Sequence, residues 1–318
     1  MEMNALQRYI CRRLLGAIPV LLGISLLAFV LGQLSPGDPA EIMLEGAGMG
    51  MPSAEEIAAL HAYLGLDEPP YVQYGIWLLR LLQGDGGISY HLGMPVFTAL
   101  LDRLPVTVLL AVAALGWALV GGVGLGLVMA YKRGTIWEVL VRGVTQVMLA
   151  APSFLTAILL ILVFGVGLHI LPTNGAESAA GYILPSLALA LVTLAMTAQL
   201  LDSQLRDALA SFYAHTARLR GLSEGRVLLT YALPNAMVPV VAMLGNFFAA
   251  VLGGAIIVET VFALPGIGSL ALDAIHYRDY PLLQGYVLFL GLIYVFVTLV
   301  VDIVLARMDP RIVPGGER

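Results

Sequence analysis

From Leu14 to Leu34 the chain carries no charged residue. About 20 apolar residues is the length an α-helix needs to cross the hydrocarbon core of a bilayer. Comparable runs follow from about Pro105 to Ala130, Trp137 to Gly165, Tyr182 to Leu201, Leu233 to Val258 and Leu282 to Leu305. Six such runs predict an all-α integral membrane protein of six transmembrane helices, with residues 1–318 forming one polytopic domain. A hydrophobic share of 59% against 12% charged residues is far from the composition of a soluble domain.

Arg8, Arg12 and Arg13 precede the first run, a layout shared with signal peptides. The run is of spanning length, and Gln33-Leu34-Ser35-Pro36 lacks a small-x-small cleavage pattern, so a retained first helix is expected. Pro19 falls in its first turns, where a missing N–H is better tolerated than at mid-helix. Six spans put both termini on one side. With the termini in the cytoplasm, all 16 Lys and Arg except Arg80, Arg103 and Arg278 lie on cytoplasmic segments, as the positive-inside preference requires.

Residues 35–104 then form a large outer loop region after the first helix. Within it Ser53 followed by Glu55 and Glu56 predicts a capped helix to about Tyr63. Ser35-Pro-Gly-Asp-Pro39 and Gly84-Asp-Gly-Gly87 are turn chemistry. In the second span Ala114, Ala118, Gly122, Gly126 and Ala130 recur every fourth residue, which predicts a small-residue face that packs closely on another helix. In the fourth, Ser186, Ala190, Thr193 and Thr197 share a face. The fifth span is entered through Pro234 and Pro239; after it Pro265-Gly-Ile-Gly268 makes a turn and Ser269 to His276 reads as a short amphipathic segment. Asp302, near the end of the sixth span, is expected to snorkel to the cytoplasmic boundary. The absence of charge in the fourth span argues against a proton or sodium relay.

Cys11 is the one cysteine, so there is no internal disulfide or cysteine-based metal cluster. The histidines, His61, His91, His169, His215 and His276, are scattered, and no metal site is expected. Neither a His-Glu-x-x-His pair nor a Gly-rich phosphate loop ending in Gly-Lys-Ser/Thr is present. A machine built on this chain and driven by ATP must hydrolyse it on another subunit.

The most informative polar segment is the cytoplasmic loop at residues 202–233. Tyr213 to Arg220 suits a helix, Gly221 interrupts it, and Ser223 stands where a second short helix would be capped. The spacing His215-Thr216-Ala217, three residues, Gly221, nine residues, Tyr231, one residue, Leu233-Pro234 resembles the cytoplasmic loop of ABC importer permeases. Their pattern reads Glu-Ala-Ala, three residues, Gly, nine residues, Ile, one residue, Leu-Pro. The departures at His215, Thr216 and Tyr231 suit the dipeptide, oligopeptide and nickel branch. That branch also resembles this chain at Leu34-Ser-Pro-Gly-Asp-Pro39, Leu64-Gly-Leu-Asp67, Val72-Gln-Tyr74, Glu259-x-Val-Phe262, Pro265-Gly-Ile-Gly268, Arg278-Asp-Tyr-Pro281 and Asp309-Pro-Arg-Ile312.

The resemblance implies a non-catalytic permease subunit in the inner membrane, translocating peptides or, alternatively, nickel or a metal chelate. It implies a second homologous permease, two ATP-binding subunits and an extracytoplasmic solute-binding protein as partners, with membrane lipid around it and no nucleic acid. ATP and Mg²⁺ would belong to the ATPase subunits, with no cofactor on this chain. The loop would dock into a groove on an ATPase, which places Tyr213, His215, Thr216, Ala217, Arg218, Arg220, Gly221, Leu222, Ser223 and Glu224 at the coupling site. The alternative for the loop is a passive linker. The alternative for the whole chain is a secondary transporter or channel working alone, which predicts intramembrane charge or paired broken helices.

Overall fold

A computed structural model describes residues 5–34, 37–46, 52–175 and 178–308. Ser35, Pro36 and the Asp309-Pro-Arg-Ile312 motif lie outside these described residues. Among them five helices are long and apolar enough to span a bilayer, or six if one bent pair counts as a single span.

The first span, α1 (Ala5–Leu34), leads into three short outer helices, α2 (Pro39–Gly46), α3 (Ala54–Leu64) and α4 (Pro70–Leu82). The expected cap on α3 is a full capping box: Ser53 Oγ accepts the Glu56 N–H, and the Glu56 carboxylate accepts the Ser53 N–H. Its far end closes on Gly65 in the left-handed conformation. Phe29, Tyr74 and Trp77 form an aromatic cluster between α1 and α4, with ring centroids 5.4–6.2 Å apart. His61 bonds both oxygens of Asp38 at 2.8 Å and so ties α3 to the start of α2.

The centre of the domain is the pair α5 (Val96–Tyr131) and α8 (Ile183–Ala210). Both run past the limits read from hydropathy, α5 beginning at Val96 rather than near Pro105. The small-residue face lies against α8 as expected: Ala114, Ala118, Gly122 and Gly126 are buried. A methyl added at Gly122 would lie 2.5 Å from Thr197 Cβ and 2.9 Å from the Leu194 carbonyl oxygen. Ser186, Thr193 and Thr197 on α8 are buried; the Ser186 and Thr197 hydroxyls donate to backbone carbonyls one turn earlier, and Ser186 also accepts from Trp117 Nε1. Thr197 and Ser186 therefore serve the packing of this pair.

Between these two helices the third span is broken. The helix α6 (Ile136–Ala150) meets α7 (Ser153–Leu160), continued by a π-helical turn to Gly167, at an angle of 106°. Pro152 has no N–H to donate and restricts Ala151 to extended backbone (ψ 119°), so the helical ladder cannot cross this point. The short α9 (Phe212–Leu219) and α10 (Glu224–Val227) follow α8.

The second short helix runs on without a break into the fifth span. A π-turn, Leu228–Ala232, joins α10 to α11 (Leu233–Leu252), and the whole stretch from Glu224 counts as one span. The Leu233 N–H reaches the Leu228 carbonyl, a one-residue register slip immediately before Pro234, which lacks an N–H of its own. The fifth span also ends earlier than expected. The chain turns at Gly253-Gly254, where Gly254 (φ +105°) comes so close to Gly268 that a Cβ would stand 2.9 Å from its Cα. Then come α12 (Ile256–Val261), α13 (Ile267–His276) and α14 (Tyr280–Met308). Ile267, Leu270, Ala271 and Ala274 form the buried stripe of α13, which is the expected amphipathic segment begun two residues sooner.

The last helix lies antiparallel along α1: Arg13 meets Asp302, Ile24 meets Gly291, and Gly32 meets Gln284. The chain ends of both helices therefore lie at one end of the molecule. Asp302 does not snorkel; it is buried and paired with Arg13 at 2.8–2.9 Å. Antiparallel packing brings the two together, and a buried carboxylate requires such a partner.

Candidate functional site

The end of α8 delivers the chain to the loop that the sequence singles out. Ser211 caps α9, its Oγ accepting the Ala214 N–H at 3.5 Å. The other end of α9 is closed by a Schellman motif: the Leu222 N–H donates to the Ala217 carbonyl (3.3 Å) and the Gly221 N–H to that of Arg218 (2.9 Å). Gly221 takes φ +81°, a left-handed conformation that a β-branched side chain resists. The helix is pinned from beneath by Ala214 and Ala217, which pack with Val227, Leu209 and Leu222 in a small core of their own.

Arg218 closes the loop electrostatically. Its Nε and Nη2 donate to the two carboxylate oxygens of Glu224 at 2.8 and 3.1 Å, and Nη1 donates to the Leu209 carbonyl at 2.9 Å. Arg218 and Glu224 are thus mutual partners. Ala217 is buried, and Thr216 and Leu222 are half-buried. What the loop presents outward is Tyr213, His215, Arg220, Gly221, Ser223 and Glu224.

Two residues absent from the expected set share that surface. Phe212 is 85% exposed and Leu219 76% exposed. They sit seven residues apart, on one helical face of an otherwise polar loop. That i, i+7 pair was the signal available in the sequence. An apolar groove of about 520 Å³, lined by Leu127, Tyr131, Trp137 and Leu229 among others, opens between the α5–α6 turn and the α10 region.

Behind the loop lies a charge network, two members of which, Asp202 and Arg206, fall just beyond the fourth span as read from hydropathy. Because α8 continues to Ala210, Asp202 and Arg206 are helical residues. Asp202 is 1% exposed and is held by Arg206 from its own helix and by Arg142 of α6 at 3.0 Å; Arg142 also donates to Glu138 at 2.9 Å. At the opposite end, fully buried Glu259 accepts from Thr107 Oγ1 (2.9 Å) and the Ser269 N–H (2.8 Å), with Gly266 and Gly268 leaving it room. Thr107 in turn accepts the Ile267 N–H at 2.9 Å. So buried charge is present in the bundle after all. Asp202, Glu259 and Asp302 are each held by partners from another element, which makes them ties between helices.

Two family profiles cover the chain. Residues 122–314 match the binding-protein-dependent transport system inner membrane component, and residues 6–111 its N-terminal region. The chain belongs to this family. A Brucella suis protein named as a putative peptide transport system permease is 39% identical over 311 residues, covering 95% of this chain and 98% of its own length. The glutathione transport system permease GsiC of Salmonella paratyphi A is 39% identical over 304 residues, covering 96% and 98%. Among solved structures, an inward-facing form of the MetNI methionine ABC transporter matches with TM-score 0.56 at 14% identity, over 67% of this permease and 97% of that chain. An amino acid ABC transporter matches with TM-score 0.50 at 19% identity, over 68% and 94%. These two establish a shared fold. Family membership makes this permease a multi-pass inner-membrane protein, and a transporter or channel that works alone is no longer a competing reading.

Proposed function

We propose that this permease is the membrane-spanning subunit of a peptide ABC importer, coupled to ATP hydrolysis on separate subunits through α9 and the turn at Gly221. It would pair with a second homologous permease and two ATP-binding subunits, and receive substrate from an extracytoplasmic solute-binding protein. The termini and the α9 loop would face the cytoplasm. The observation that carries the coupling role is mechanical. A two-turn helix capped at Ser211, closed by a Schellman motif and cross-braced by Arg218–Glu224 is a rigid lever on the end of α8, and it offers Phe212, Leu219 and Arg220 to a partner. A passive linker would need none of this. The peptide substrate class is supported by the names of the relatives, peptide and glutathione permeases, and these disfavour the nickel reading.

The test is the Gly221→Val variant in the reconstituted complex. A left-handed non-Gly residue costs about 1–2 kcal/mol, enough to redirect α9 while leaving the spans inserted. ATPase stimulation by peptide-loaded binding protein and peptide uptake should fall together, with peptide capture by the binding protein intact. Full stimulation in this variant would reduce the loop to a tether. Nickel uptake without peptide uptake in the wild type would overturn the substrate class.

A further inference from the structure

A groove of about 610 Å³ runs between α1 and α14 on the surface of the bundle, toward the end where both helices have their chain termini. Gly16 and Ala17 leave it open, and Leu14, Val20, Tyr294 and Leu299 wall it. A Cβ built on Gly16 meets nothing within 4 Å, so no side chain fills this space. One end is charged, with Arg12, Arg13 and Asp302; the other, at Val20 and Tyr294, is not. From Arg12 to Val20, and from Tyr294 to Asp302, the helical rise gives about 12 Å. That is most of one leaflet of a hydrocarbon core ~30 Å thick.

The charges at the mouth are not balanced. Asp302 is paired with Arg13. No hydrogen bond or ion pair engages Arg12 among the described residues, and Arg8, also exposed, lies one turn earlier on the same face. A groove in a membrane helix pair that is uncharged and mainly apolar for one leaflet's depth, with the Thr298 hydroxyl turned to the Tyr294 carbonyl, and cationic at the interface has the polarity of a phospholipid. A helix from another protein would call for an apolar channel continuing across the second leaflet, with no uncompensated guanidinium beneath it.

We propose that this groove is a binding site for an anionic phospholipid, the phosphate engaging Arg12 and an acyl chain lying along Gly16 and Ala17. The site is independent of what the permease transports, and its test has a readout other than transport. The purified, delipidated full-length protein is titrated with palmitoyl-oleoyl phosphatidylglycerol or the matching phosphatidylcholine, and bound lipid is counted by native mass spectrometry. Phosphatidylglycerol should be retained in preference. Arg12→Ala should lower its occupancy about fivefold, the effect of one interfacial cation, and Arg12→Lys should restore it. Gly16→Leu, which projects into open space, should lower occupancy of both lipids. Equal retention of the two lipids by the wild type, or indifference to Arg12→Ala, overturns the headgroup assignment; indifference to Gly16→Leu overturns the groove. A second measurement needs no variant beyond a cysteine. In the assembled transporter, a phosphatidylglycerol with a photoreactive acyl chain should label the segment around Gly16. A Gly16→Cys protein that instead crosslinks to the second permease shows a protein helix in the groove and refutes the proposal.

Discussion

Gly122→Ala adds one methyl group to the seam between α5 and α8, and the structure says what it meets. The new Cβ would stand 2.5 Å from Thr197 Cβ, 2.6 Å from Thr197 Cγ2 and 2.9 Å from the Leu194 carbonyl oxygen. Comfortable carbon contacts lie near 3.5–4.0 Å, so the helices must part by roughly 1 Å or Thr197 must leave its rotamer. Thr197 is not free to do so: it is fully buried and donates to the Thr193 carbonyl at 2.7 Å. The Leu194 oxygen belongs to the backbone of α8 and moves only with the helix. Overpacking of this kind costs about 1–3 kcal/mol, and Gly122→Leu should sit at or beyond the upper end. A Cβ added at Gly124, half a turn away, meets nothing within 4 Å. There the intrinsic helix preference for alanine, about 1 kcal/mol over glycine, is not opposed. The assay is thermal unfolding of the detergent-solubilised permease, followed by intrinsic tryptophan fluorescence. Gly122→Ala should melt below wild type and Gly124→Ala at or above it. Equal melting of the two variants would refute the close approach of α5 and α8 at this point.

Three further outcomes are expected. A cysteine replacing Glu55 should react with an impermeant maleimide in intact cells and one replacing Ser211 should not; the reverse labelling inverts the orientation and moves α9 away from any cytoplasmic ATPase. Asp202→Ala strands two guanidinium groups between α6 and α8; because Arg142 and Arg206 keep about a third of their side-chain surface exposed, the cost should be about 1–3 kcal/mol, below that of a fully buried pair, seen as a lower melting temperature. The contact between His61 and Asp38 should be pH-dependent. The hydrogen bond to Asp38 raises the His61 pKa above 6.5, so its contribution is complete below 6.5 and is lost as pH rises through the raised value. Burial pushes Asp38 up, but the bonds from His61 and the Ala40 N–H outweigh it and leave the carboxyl below 3.8, so that side fails only in strong acid. Proteolysis of the α2–α3 arm should therefore quicken as pH rises through that raised value, and His61→Asn should remove that dependence.

Much of this architecture was legible because lipid reduces the problem to a few strong rules. Length and apolarity announce a spanning helix, and a four-residue repeat of Ala and Gly announces a face that approaches another backbone. The capping box at Ser53 and the left-handed stop at Gly221 were readable for a similar reason, since each is a local interaction among residues within about one turn. The pattern around Gly221, with the motifs on either side of it, pointed to the family. What the sequence could not supply were the pairings across distance. Asp302 and Arg13 are 289 positions apart, Asp202 and Arg142 are 60, and Glu259 and Thr107 are 152. Taken alone, Asp302 reads as a snorkelling charge, and Asp202 and Glu259 as charges just beyond the end of a span. Only the packing of α1 on α14, α6 on α8, and α12 with α13 on α5 turns them into buried ties. The breaks at Pro152 and Gly253-Gly254 show the same division. Hydropathy averages over a window and runs through a single extended residue or a left-handed glycine, whereas a helical hydrogen-bond ladder does not. Apolar composition thus marked which segments are long enough to enter the membrane. Where each bends, and which charges it can bury, was decided by its tertiary neighbours.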